Sequence, residues 1–295
     1  MAWAVILLRF LQYGAAAILF GSSAFLLYSP LLDRPRRWPR LVLAMAAALL
    51  AIATPLGFFL QTVSLAGSVP GALDPQALHA ALWEMNIGKS SMVRFALALA
   101  CLAAGLLPPS RMGWRICAVL GAGVCASLAW MGHGGASEGA SGWLHLAGDI
   151  VHCLAAAGWI GALVILCLAL SWCRLEARRV HAALSGFSGI GTLLVAAIIL
   201  TGLINNSFLV GWDLARAIAT PYGQILAAKL ALFLLMLMLA AMNRIRHTPA
   251  LGAALANEAR PSLARLRRSI GLETAAAFAV LALVSWLGTL QPVLQ

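Results

Sequence analysis

Eight long apolar runs constrain the fold of this chain more than any other feature of its sequence. They cover residues 3–28, 41–66, 89–107, 114–132, 143–172, 182–210, 222–242 and 270–290. An α-helix that crosses a bilayer needs about 20 consecutive apolar residues, so each run is long enough to span it. Of the 295 residues, 62% are hydrophobic and only 10% are charged, whereas a soluble domain is roughly one quarter charged. The sequence therefore predicts an all-α integral membrane protein with eight transmembrane helices.

The basic residues predict how these helices are oriented. Most of the 20 lysines and arginines fall in four of the segments between the apolar runs. They are Arg34, Arg36, Arg37, Arg40, Arg111, Arg115, Arg174, Arg178, Arg179, Arg244, Arg246, Arg260, Arg265, Arg267 and Arg268. Cytoplasmic loops of membrane proteins carry an excess of lysine and arginine. Both chain termini are therefore predicted to face away from the cytoplasm, and the net charge of +11 does not indicate nucleic-acid binding.

The two halves of the chain resemble each other in three places. QYGAAAILFG at residues 12–21 has the same spacing as HCLAAAGWIG at residues 152–161. A basic residue follows a glycine by six positions in both GKSSMVR and GQILAAK, and AWMGH aligns with SWLGT. An even number of helices in each half predicts a parallel repeat. We therefore predict a single transmembrane domain over 1–295, with one four-helix half at 1–133 and the other at 143–295.

The fifth apolar run carries polar residues on one helical face. At 100° per residue, His145, Asp149 and His152 fall within about 60° of one another and cover about 10 Å of the helix axis. An ionisable residue inside a spanning helix indicates a functional site by default, although interhelical hydrogen bonding also accounts for a single histidine. Imidazole binds copper, zinc and iron. We predict a metal site here, with Asp149 either a ligand or the acceptor for a ligating histidine.

His133 is the predicted companion of this face. It follows the fourth apolar run in WMGHGG, twelve residues before His145 and on the same side of the membrane. Met131 lies two positions before it, and thioether sulfur selects Cu(I). His79 lies in another loop on that side. We predict His133 as a metal ligand, and Met131 and His79 as auxiliary metal residues.

Two further sets of polar residues lie within the apolar runs. The predicted repeat gives Arg9 and Asp149 equivalent positions, so we expect them to form an intramembrane pair across a pseudo-twofold axis. Asn205 and Asn206 end the sixth run in TGLINNSF. Amide side chains at this depth hydrogen-bond a neighbouring helix or line a polar path.

Three other charged residues are given structural roles by the sequence. Arg94 and Lys229 lie near the start of their runs and are expected to extend toward the outer surface. Glu273 lies five or six positions after Arg268 and Arg267 and is expected to pair with them at the inner surface.

The chain resembles the copper resistance protein D (CopD) family of bacterial inner-membrane proteins. The resemblance rests on HLAGDIVHCLAAAGWIGAL, TGLINNSFLVG, TPYGQILAAKLALFLLMLMLAAMNR and LRRSIGLETAAAFAVLALVSWLGTL, while the first four helices match only in layout. It implies eight spans, the handling of Cu(I) or Cu(II), and a periplasmic copper-binding partner of the CopC type. It also assigns His145, Asp149 and His152 as the family's polar face, with His133 as companion.

Three functions are compatible with the sequence. The leading hypothesis is a copper-binding permease or import factor that takes copper from the periplasmic side, without enzymatic activity or catalytic residues. The alternative is a b-type haem protein for electron transfer, because histidines on facing helices suit haem. The third is a structural or sensory subunit in which the histidines join helices.

Overall fold

The structure, a computed structural model, describes residues 2–31, 37–106, 110–130, 139–172, 176–256 and 258–294, except the side chains of 139–141 and 214. Within these ranges the chain forms eight helices long and apolar enough to cross a membrane, and no strand. They are α1 Ala2–Tyr28, α2 Arg37–Ala66, α3 Asn86–Leu106, α4 Arg111–Trp130, α5 Gly139–Trp172, α6 Ala177–Leu209, α7 Pro221–Ala256 and α8 Arg260–Leu287. The predicted fold class is confirmed.

The helices run back and forth, so their connections lie at two ends of the bundle. At the arginine-rich end lie the starts of α2, α4, α6 and α8, each of which carries arginine in its first turns. The other end, here the termini end, holds both chain termini and short helices such as Pro75–His79 and Leu214–Ile218. The carboxylates of Asp74 and Asp213 cap these two helices by accepting from the backbone N–H of Ala77 and Arg216, both at 3.0 Å.

Two glycines let α1 and α5 cross at backbone contact in the centre of the bundle. A Cβ atom on Gly161 would lie 2.3 Å from the backbone nitrogen of Ser22 and 2.5 Å from the Cα of Gly21. The Ser22 hydroxyl also donates to the Gly161 carbonyl at 3.1 Å. Small residues at such crossings allow close packing where lipid removes the hydrophobic driving force. Gly21 and Gly161 are equivalent positions in the predicted repeat, which stays a prediction.

Arg94 on α3 lies inside the bundle. Its side chain is 1% exposed, its Nη1 donates to Gln12 Oε1 at 2.7 Å, and its Nε and Nη2 donate to the hydroxyl and carbonyl of Ser127. The expectation that Arg94 extends to the outer surface was wrong. Neutral oxygens from α1 and α4 are within reach of the guanidinium, which has five donors to satisfy.

The second half contains a cavity of about 800 Å³ between α5, α6, α7 and α8. It begins near the arginine-rich end at His181 and Thr248 and continues to Trp159 and Val195, which lie deeper along their helices. In the first half, α2 and α3 pack directly, with the backbone of Gly105 against Ala44. The cavity therefore opens α6 from α7 in the half of the bundle that carries the predicted metal site.

A candidate metal site at the termini end of α5

His145 is held inside the bundle by an aromatic partner. It lies in the second turn of α5 and is 1% exposed. Its ring stacks on Phe208 of α6, with ring centroids 4.6 Å apart and planes 6° apart. Because the ring is fixed by this stack, its nitrogens have defined directions at the junction of α5 and α6.

Asp149 lies one helical turn after His145, and both face α6. The Nε2 atom of His145 and the Oδ2 atom of Asp149 are 3.9 Å apart. The other carboxylate oxygen, Oδ1, accepts a hydrogen bond of 2.5 Å from the amide of Asn205. Within the described residues, the buried Oδ1 atom of Asn205 has no hydrogen-bond partner. His145, Asp149 and Asn205 therefore form a polar cluster, here called the outer cluster.

His152 lies deeper along α5 and contacts Thr201 of α6. Its Nδ1 is 2.9 Å from the threonine hydroxyl, and that hydroxyl donates its single proton to the carbonyl of Ala197 at 2.5 Å. The hydroxyl must therefore accept from an N–H at Nδ1. In the neutral imidazole this leaves a lone pair on Nε2, the atom that a metal ion or a proton would take.

The two histidines occupy separate positions along the helix. Seven residues separate them, which corresponds to about 10 Å along the axis. In the part of the chain that the structure describes, no three His, Cys, Asp or Glu side chains are grouped closely enough to hold a metal ion. The structure thus brings together His145, Asp149 and Asn205 and places His152 about two turns further in.

The remaining predicted residues are placed as follows. His133 and Met131 lie outside the described residues. His79 is exposed at the end of its short helix. Asn206 donates to the carbonyl of Gly211 at 2.8 Å and so holds the local turn. The guanidinium of Arg9 donates to the carbonyl of Gly288, and its pairing with Asp149 stays a prediction.

Lys229 of α7 also belongs to this region, and the sequence did not indicate it as a site residue. It is half-buried and lies within electrostatic range of Asp149, His152 and Cys153. It follows Gly223 by six positions, as Arg94 follows Gly88. Since Arg94 bonds Gln12, which aligns with His152, this spacing was the signal that could have placed Lys229 here.

An eight-helix bundle with buried imidazole, carboxylate and amide groups at one end defines a polytopic membrane protein with an intramembrane polar site. The chain belongs to the copper resistance protein D family. The family's N-terminal domain, described as copper resistance protein D-like, matches residues 1–143, and the copper resistance protein D description matches residues 181–287. The resemblance thus extends to the first four helices, beyond the layout that the sequence alone suggested.

Individual relatives cover almost the whole chain. Copper resistance protein D of Pseudomonas syringae pv. tomato is 35% identical over 98% of this chain and 97% of its own length. Inner membrane protein YebZ of Escherichia coli is 26% identical over 99% of both chains. Copper transport protein CutJ of Bacillus subtilis is 27% identical over 80% of this chain and 45% of its own length. No solved structure matches the chain. These relatives indicate a membrane protein of copper homeostasis.

Proposed function

We propose that this protein takes copper from the periplasmic side of the inner membrane at the outer cluster and passes it into the membrane along α5 and α6. The observation that carries the proposal is the spacing of His145 and Asp149. Protein nitrogen and oxygen ligands lie about 2.0–2.2 Å from a metal such as zinc, so two ligands of one ion are at most about 4.3 Å apart. The observed 3.9 Å between Nε2 and Oδ2 lies within that limit.

The chemistry of the outer cluster supports a transition metal more than a hard cation. Imidazole nitrogen suits copper, whereas calcium and magnesium require sites built from oxygen. Asn205 holds one oxygen of Asp149, and this leaves the other oxygen on the side of His145. Partners of this kind orient ligands in metal sites. His133 would add a second imidazole, and Met131 a thioether, from the segment that precedes α5 in the chain.

His152 provides the next position for copper. Its Nε2 lone pair, set by Thr201, lies about 10 Å further along the same helix. Lys229 places a positive charge near both positions. This charge balances Asp149 when no copper is bound and repels the ion once it reaches His152. Copper would thus be held long enough to be passed on, but not trapped.

Delivery by a periplasmic copper-binding protein of the CopC type fits this arrangement. Positive-inside counting puts the termini end in the periplasm. The outer cluster begins only six residues into α5 on that side, close to where such a partner would dock. The cluster then receives copper without exposing it to bulk water.

Copper uptake into proteoliposomes tests the proposal. The full chain is reconstituted, and copper entry is followed with a chelating dye inside the vesicles. His152→Ala is expected to keep copper binding but slow entry, because it interrupts the path beyond the outer cluster. His247→Ala, at the arginine-rich end, is the matched control and should leave entry unchanged. Equal entry rates in wild type and His152→Ala would remove His152 from the path, and a Soret band in the purified protein would favour the haem alternative.

A further inference from the structure

Glu273 of α8 is a second buried acid, far from the outer cluster. It is 2% exposed, and it lies between Trp159 of α5 and Asn243 of α7. The indole N–H of Trp159 donates to Oε1 and the amide of Asn243 donates to Oε2, both at 3.0 Å. The predicted pairing of Glu273 with Arg267 and Arg268 was wrong. A carboxyl group buried within a spanning helix and held by neutral partners points to an ion or proton pathway.

Asn243 can hydrogen-bond either protonation state of this acid. Its amide nitrogen donates to the carboxylate, and its 7%-exposed side chain keeps a buried Oδ1 that has no hydrogen-bond partner among the described residues. If Glu273 takes up a proton, a half-turn of the amide brings Oδ1 to accept from the new O–H. Trp159, which only donates, holds Oε1 in both states. A purely structural pair would not need an acceptor in reserve.

The cavity in the second half connects this acid with the arginine-rich end. Glu273, Trp159 and Asn243 line it at one side, and His181 and Thr248 line it toward that end. Asn243 begins a π-helical turn, Asn243–His247, in α7. Such turns occur frequently at functional sites. Protons from the aqueous side thus have a continuous opening that leads to the carboxyl group.

We propose that Glu273 is a proton-carrying group of the inner half of this protein, loaded from the arginine-rich side through the cavity. A hydronium ion there gives its proton to Oε2, water is released, and the new O–H donates to Asn243. The reverse step returns the proton to water. This inference rests on the proposed function in one respect: the proton movement would be coupled to the passage of copper.

Other charged and titratable groups near the cavity act on this step. His181 of α6 and Arg244 of α7 both line it, and Arg244 donates to Thr192 across the cavity at 2.6 Å. Trp159 is the neighbour from α5 and is neutral. The positive charge of Arg244 favours the carboxylate over the acid, so it sets how readily the proton leaves again.

Infrared difference spectroscopy of the purified full chain tests the protonation of Glu273 without copper. A pH change in wild type should produce the carbonyl band of a protonated carboxyl group, and Glu273→Gln should lose it. Glu258→Gln, the same change at an exposed acid, should keep it. Asn243→Leu should shift it, which tests the partner even if the glutamine variant folds poorly. A wild-type chain without such a band, or a band that follows sodium concentration and not pH, overturns the inference.

A second measurement tests the coupling. Copper added to proteoliposomes should move protons in wild type, and Glu273→Gln should lose this movement while it still binds copper at the outer cluster. Undiminished proton movement in the variant would contradict the coupling. If wild type bound no copper, the proposed function would fail, and the infrared titration would still decide whether Glu273 carries a proton.

Discussion

Asn205 of α6 donates a hydrogen bond to Asp149 of α5 and so fixes the carboxylate beside His145. The bond joins the two helices where a polar pair is costly unless it is satisfied. The same contact orders the groups that would receive copper. The structure of the bundle and the proposed chemistry therefore depend on one pair of side chains.

Replacing Asn205 with leucine should weaken copper binding about 10–100-fold, since the loss of a partner that orients a ligand typically costs that much affinity. Titration with a competing chelator measures the change. Asn206→Leu is the matched control because Asn206 bonds only the nearby Gly211 carbonyl. Equal affinities in the two variants would show that Asn205 does not orient Asp149.

Adding one methyl group at Gly161 should destabilise the protein. The new Cβ atom would meet the backbone of Ser22 and Gly21 at 2.3–2.5 Å, and overpacking typically costs about 1–3 kcal/mol. Gly186→Ala on α6 is the control, since a Cβ there meets nothing within 4 Å. Alanine is favoured over glycine in a helix by about 0.5–1 kcal/mol. Thermal unfolding in detergent should therefore shift in opposite directions for the two variants.

Gln12→Leu should also lower stability. It removes the acceptor of Arg94 Nη1 and the donor to the Ala53 carbonyl. A hydrogen bond to a charged group contributes about 1.5–3 kcal/mol. Gln61→Leu is a suitable comparison because the half-buried Gln61 lines the same small cavity as Gln12. If both variants melted at the wild-type temperature, Gln12 would not be needed to hold the buried guanidinium.

The predicted orientation places residue 294 in the periplasm and residue 256 in the cytoplasm. Leu294→Cys and Ala256→Cys, each in a background without native cysteines, should react with an impermeant thiol reagent from opposite sides. In intact cells only Leu294→Cys should be labelled. Labelling of Ala256→Cys alone would reverse the map and place the outer cluster on the cytoplasmic side.

The eight helices could be predicted because the bilayer sets a minimum apolar length that few other structures need. Their ends were less predictable: the last run begins at residue 270, yet α8 begins at Arg260, because basic residues continue a helix outside the apolar region. Asp149 could be recognised from its spacing with His145, since both lie on one helix.

Partners on other helices could not be predicted in this way. Arg267 and Arg268 are near Glu273 in sequence, but six and five positions on a helix turn them about 120–140° away from it. The face that Glu273 occupies instead meets Trp159 and Asn243, which are 114 and 30 residues distant. Arg94 likewise found Gln12 and Ser127 through the packing of three helices.

Copper content of the purified protein, measured by elemental analysis across pH, tests the central claim most directly. His145→Ala should lose most of the copper, with Asp149→Asn between it and wild type and His247→Ala equal to wild type. In wild type the bound copper should decrease as the pH falls, because protons compete with copper for the imidazole lone pairs. If His145→Ala instead retained the wild-type copper content at every pH, the outer cluster would not be the copper site.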